Sequence, residues 1–272
     1  MENFFKIYFV LLLAASLFLL CPLLLNRARR AALWQAPRLA TRPSIHLMDG
    51  FVVVLVAFIF LAGAVAAHFY NKPEDGPTKF TATSLALQIV FSLLWLAPVV
   101  ALLVRRGASL RETFGIRGET VWRDMRLGLR YGVMMIFPVF MANIFTQFFF
   151  KFFNLPIKSQ GVLLQLADLD IPLALRIPLA IFLFTLVPLV EEVSFRGILI
   201  PAFARVEPWP TLLVYQAVFF SLVHCNAAAA PGLFITGICL GLGYARTGSV
   251  LTPAVMHAVL NLNAVLLIFL RP

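Results

Sequence analysis

Apolar runs of about twenty residues alternate with short polar, Arg-bearing segments along the whole chain, and this spacing predicts a bundle of membrane-crossing helices. The first run, residues 4–25, is longer than the core of a cleaved leader. No small-x-small site separates it from the Arg cluster after Asn26, so it predicts a retained helix. Further helices are predicted over 46–67, 84–104 and 127–150, from Ile171 onward, and over 211–227, 232–244 and 251–270. Residues 121–127 pattern as an amphipathic helix along the interface. Residues 161–168 are weakly apolar and are expected to rest on the surface. No alternation of the strand period, internal repeat or low-complexity segment interrupts the helical pattern. Gly237-x-x-x-Gly241 permits close helix packing.

The charges orient this pattern. The loop after the first helix carries Arg27, Arg29, Arg30, Arg38 and Arg42 with no acid until Asp49, which marks it as cytoplasmic. The segment 105–130 holds seven Arg against Glu112, Glu119 and Asp124 and falls on the same side. Segments 68–79, with Pro73 and Pro77, and 151–170 read as external. The turns at 205–210 and 246–249 read as internal. Eight spans put both termini outside, with the seventh short for a crossing. Asp49 and His46 lie near the start of the second helix, within reach of the interface.

Composition agrees with this pattern. The 272 residues are 61% hydrophobic and 12% charged, where a soluble domain carries about a quarter charged residues. Mean hydropathy is +0.94. The fold class is therefore all-α, a polytopic bundle of about eight transmembrane helices. The net charge of +10 sits in the connecting loops and does not point to nucleic acid. Cys21, Cys225 and Cys239 lie in apolar runs, without a spacing that suggests a disulfide framework or a zinc knuckle. Residues 1–170 form N-terminal helices and loops. Residues 171–272 form a helical core of the same integrated bundle, and this core holds the unusual residues.

Glu191, Glu192 and Arg196 stand inside the run 181–200, where one central charge costs about 2.5–3.5 kcal/mol. Residues four apart share a helix face, so Glu192 and Arg196 can pair, while Glu191 is turned about 100° away. The sixth helix adds Phe220-x-x-x-His224, and the eighth adds His257-x-x-x-Asn261 on one face. Each taken singly has a plain structural reading: a packed histidine, an ion-pair staple, a chance His–Asn spacing. Together they offer three polar helix faces able to surround one wet cavity. A carboxylate and an imidazole can polarise a water. A second His with a carboxamide can donate to a developing oxyanion. These are the parts for amide hydrolysis by direct water attack. Ser194 and Ser221 lack a nucleophile-elbow context, and His-Glu-x-x-His is absent. Glu191, His224 and His257 form an alternative ligand set for zinc. In ideal straight helices, however, His224 stands several ångströms too deep to meet the other two.

In that order, Glu-Glu-x-x-x-Arg, Phe-x-x-x-His and His-x-x-x-Asn resemble the CPBP family, the CAAX-protease and bacteriocin-processing (Abi) intramembrane endopeptidases that include the Ras-converting prenyl-protein proteases. The run Glu191-Glu-Val-Ser-Phe-Arg-Gly197 fits the first motif, including the aromatic and the glycine around the Arg. The resemblance covers about a third of the chain. It implies an intramembrane endopeptidase in which Glu191 and His224 activate water, and His257 and Asn261 form the oxyanion hole. Glu192, Arg196 and Phe220 are then supporting residues. It implies a peptide or protein substrate, with lipidated tails among the candidates, and a bilayer as partner. No cofactor is required on the metal-free reading, and a divalent metal is the alternative. A bacterial cytoplasmic membrane is the expected location. Two other classes compete: a non-catalytic membrane scaffold or chaperone that binds hydrophobic tails, and a cation-coupled transporter. The transporter ranks last for want of a repeat.

Overall fold

The computed structural model describes residues 2–26, 42, 44–70, 80–157 and 161–270. The Arg-rich segment 27–41 and residues 71–79 of the external loop, both assigned sides above, lie outside the described residues. Eight principal helices follow the predicted order: α1 (Glu2–Leu25), α2 (Leu47–Tyr70), α3 (Ala82–Arg105), α4 (Val121–Phe152), α5 (Leu173–Phe203), α6 (Trp209–Leu222), α7 (Ala230–Thr247) and α8 (Leu251–Phe269). No strand occurs among the described residues. By length and composition α1, α3, α4, α5 and α8 can cross a membrane, whereas α6 is a shorter apolar helix. Outward faces are apolar: Phe148 and Phe152 on α4 are 71% and 80% exposed, as lipid-facing side chains are. The chain is an integral membrane protein.

Helix ends follow local chemistry. Thr81 and Ser84 form a reciprocal capping box at the start of α3, each hydroxyl accepting from the other's backbone N–H at 3.2 and 3.3 Å. Gly248, at φ 66°, ends α7 in the left-handed conformation that a side chain disfavours.

Three boundaries differ from the sequence expectation. Residues 121–127 are not a separate interfacial helix but the first turns of α4, because Asp124 is buried and its carbonyl accepts from Thr252 Oγ1 of α8 at 3.2 Å. Residues 161–167 form a short helix that packs on protein rather than resting on a lipid surface. Leu166 is fully buried with Leu179 and Val265, and its carbonyl accepts from Arg176 Nε at 2.9 Å. The sixth helix stops at Leu222 rather than reaching 227, and Cys225 takes φ 49° in the turn that follows. Asp49 is also drawn inward: it is fully buried and pairs with Arg106 at 2.7 Å.

Close packing is set by glycines. Gly128 and Gly132 bring α4 against α8, where added Cβ atoms would meet the Cβ atoms of Val255 at 2.7 Å and Val259 at 2.9 Å. Gly237 and Gly241 do the same for α7 on α6, at Ala217 and Leu213. One apolar cluster (Ile45, Phe114, Leu213, Tyr244, Val250) lies toward the Arg-rich end, and a second (Phe80, Leu166, Ile171, Leu179, Val265) lies toward the other.

Helix α1 packs chiefly on α4 and repairs a defect there. Pro138 has no N–H to give the carbonyl of Met134, four residues back. The buried Ser16 hydroxyl donates to that carbonyl at 2.9 Å and accepts from the Phe137 N–H at 2.9 Å. In lipid no water replaces such a bond. Ser16→Ala is expected to destabilise the bundle by about 1 kcal/mol. The check is a lower melting temperature in detergent, with Ser16→Thr closer to wild type.

Candidate active site

The carboxylate pair sits where α5 changes its winding. Leu186–Glu192 is α-helical, and Val193–Leu199 continues as a fully buried π-helical segment before Ile200–Phe203 resumes α geometry. Such wide turns concentrate at functional sites. Gly197 lies within this segment because Phe114 passes close by: an added Cβ would sit 2.8 Å from its ring.

Glu192 is fully buried. Its Oε1 accepts from Arg196 Nη1 at 2.8 Å and from His257 Nδ1 at 2.9 Å. Arg196, also fully buried, donates through Nη2 to the Gly237 carbonyl at 3.1 Å. That carbonyl also accepts from Gln216 Nε2 at 2.9 Å. One ion pair therefore ties α5 to α6, α7 and α8. The Phe220 ring completes the cage, 4.9 Å from the guanidinium carbon and 4.9 and 5.8 Å from the His224 and His257 rings. The i,i+4 pairing expected for Glu192 and Arg196 is present.

Glu191 faces the other way, with its side chain 24% exposed. Its Oε2 has no hydrogen-bond partner among the described residues and stands 3.9 Å from His257 Nε2. His224 lies in the turn beyond α6, so helix rise does not fix its depth, and the conflict expected from straight helices does not arise. Its Nδ1 lies 2.7 Å from the Phe220 carbonyl, an acceptor only, so Nδ1 carries a proton and Nε2 is not used by that bond. Asn261 Nδ2 donates to the Leu183 carbonyl at 2.9 Å, which leaves its second N–H available.

Glu191 and His224 line two cavities at once. One, of about 680 Å³, lies against α2, α3 and α5, with Phe91, Trp95, Phe182 and Phe195 among its walls. The other, of about 470 Å³, adds His257, Asn261, Asn143, Asn263 and Thr236. Glu191, His224, His257 and Asn261 thus border one chamber. Glu192, Arg196 and Phe220 stand behind it. Ser194 and Ser221 are spent on backbone carbonyls, those of Val190 and Ala230.

The sequence reading missed Gln216, Asn143 and the polar face Gln88–Ser92 of α3. All are uncharged. Uncharged groups interrupt an apolar run less sharply than ionised ones, although an intramembrane carboxamide is also costly. The zinc alternative requires Glu191, His224 and His257 to converge. Among the described residues no three His, Cys, Asp or Glu side chains stand close enough together to hold a metal ion as they are placed.

Residues 173–263 match the family model described as type II CAAX prenyl endopeptidase Rce1-like. The matched segment runs from the start of α5 into α8 and contains all seven residues of the constellation. It agrees with the CAAX-protease resemblance of the motifs. No curated protein and no solved structure matches the chain.

Arg196→Leu would leave the Glu192 charge buried beside His257, at an expected cost of about 3–5 kcal/mol. Glu192→Leu with Arg196→Leu removes both charges and should recover much of that loss. The comparison is of melting temperatures in detergent. A single variant as stable as the double would show that the buried pair does not hold the helices together.

Proposed function

On the premise that residues 173–263 form the catalytic segment of a CAAX-type membrane endopeptidase, we propose that Glu191 and His224 activate a water that attacks a peptide carbonyl. The observation that carries this reading is the division of labour between adjacent carboxylates. Glu192 is fully buried and locked into an ion pair, whereas Glu191, its side chain 24% exposed, lines both cavities with His224 and keeps its Oε2 3.9 Å from His257 Nε2.

The water oxygen forms a bond to the carbonyl carbon while its proton passes to the Glu191 carboxylate, with His224 Nε2 orienting it. The carbonyl oxygen gains the negative charge. When His257 carries both protons, Nδ1–H is held by Glu192 and Nε2–H is free to donate to that oxygen. The second N–H of Asn261 is the other donor of this oxyanion hole. Glu191 then gives its proton to the leaving nitrogen as the C–N bond breaks, and two shorter chains leave. No atom is transferred to the protein and no metal is required.

The aromatic walls of the larger cavity suit an apolar segment or a lipid-modified tail beside the scissile bond. The substrate is then a membrane-associated or C-terminal or leader peptide segment, and a bacterial cytoplasmic membrane is the proposed setting. A scaffold that only held such tails would have no need of a carboxylate and two imidazoles around one chamber.

Glu191→Ala and His224→Ala are expected to lower cleavage by at least about 100-fold, with melting temperatures close to wild type. The readout is a comparison of peptide termini in membranes from wild-type and variant cells, followed by assays on peptides copied from the dependent sites. Wild-type processing by both variants would exclude the hydrolase. Dialysis against a chelator is expected to leave the rate unchanged, and loss with recovery on zinc addition would restore the metal reading.

A further inference from the structure

Asn143 lies deep in α4, outside the matched segment, on the wall of the 470 Å³ chamber that holds Glu191, His257 and Asn261. Its immediate neighbours Ala142 and Ile144 are apolar, and Thr146 and Gln147 follow one turn on. No group among the described residues hydrogen-bonds its carboxamide. A polar side chain at this depth costs free energy unless something pairs with it, and membrane helices retain such groups where a pathway or ligand needs them.

The opposite wall is shaped to receive it. Gly232, in the first turn of α7, faces Asn143 so closely that an added Cβ would collide with Asn143 Oδ1. The carboxamide thus occupies the space of the missing side chain and stays within the chamber. It offers a donor and an acceptor side by side, the complement of the N–H and C=O of an extended peptide. A charged or purely apolar ligand would leave one or both unmatched.

We infer that Asn143 binds the backbone of the substrate peptide on the chamber side of the scissile bond, and so positions the carbonyl over Glu191. The inference rests on the peptidase reading. It adds a substrate-binding residue from the helices that precede residue 171, and it requires the substrate to be an extended, unpaired backbone in this chamber rather than an intact helix.

The test begins with peptide termini in membranes of cells expressing wild type, Glu191→Ala or Asn143→Leu. Termini absent with Glu191→Ala define the substrates, and no difference between that variant and wild type would overturn both readings. Peptides copied from the dependent sites are then assayed with purified protein in phosphatidylcholine vesicles. Asn143→Leu is expected to raise KM about five- to thirtyfold, with kcat within about threefold and an unchanged melting temperature. Gly232→Ala, which displaces the carboxamide while keeping Asn143, should raise KM in the same way. N-methylation of the peptide amides flanking the scissile bond, one at a time, should weaken wild type and erase its advantage over Asn143→Leu at one position. Wild-type KM in both variants would overturn the inference. So would a fall in kcat and melting temperature at constant KM, which would make Asn143 a packing residue.

Discussion

The structure depends on a single carboxylate oxygen. Glu192 Oε1 is shared by Arg196 and His257, fully out of reach of solvent, and the guanidinium passes the connection on to the Gly237 carbonyl. In a low-dielectric interior such a group is destabilising if any member is missing. Four helices are therefore held in one mutual arrangement. The buried π-helical stretch, the Phe220 ring and Gly197 all serve the same junction, by placing the guanidinium, covering it and admitting Phe114.

That junction explains how two neighbouring carboxylates acquire different roles. A helix turns about 100° between successive residues, so a side chain next to a locked one must face another direction. Glu191 lines both cavities, and His257 links the two carboxylates by binding Glu192 through Nδ1 and facing Glu191 through Nε2. Adjacent residues thus face different ways, one into the buried junction and one toward the cavities.

The N-terminal helices contribute more than membrane anchorage. α4 packs on α8 through Gly128 and Gly132, and α1 supplies the hydroxyl that satisfies the backbone at Pro138. α3 forms one wall of the larger cavity and α4 one wall of the smaller. The family match covers only residues 173–263, yet both chambers that border Glu191 are completed by side chains from outside it.

The sequence by itself determined the helical class, the approximate positions of eight helices, the chemical constellation and the pairing of Glu192 with Arg196. These follow from local periodicity: apolar length sets a span, and an i,i+4 spacing puts two side chains on one face. Tertiary structure alone decided that α6 ends before His224, that residues 121–127 join α4, that Gln216 shares a carbonyl with Arg196, and that Asn143 faces Gly232. Each of those depends on groups that approach from other helices, far away along the chain. A carboxamide or a glycine carries no local signal of what will face it, because its role is set by the surface that packs against it.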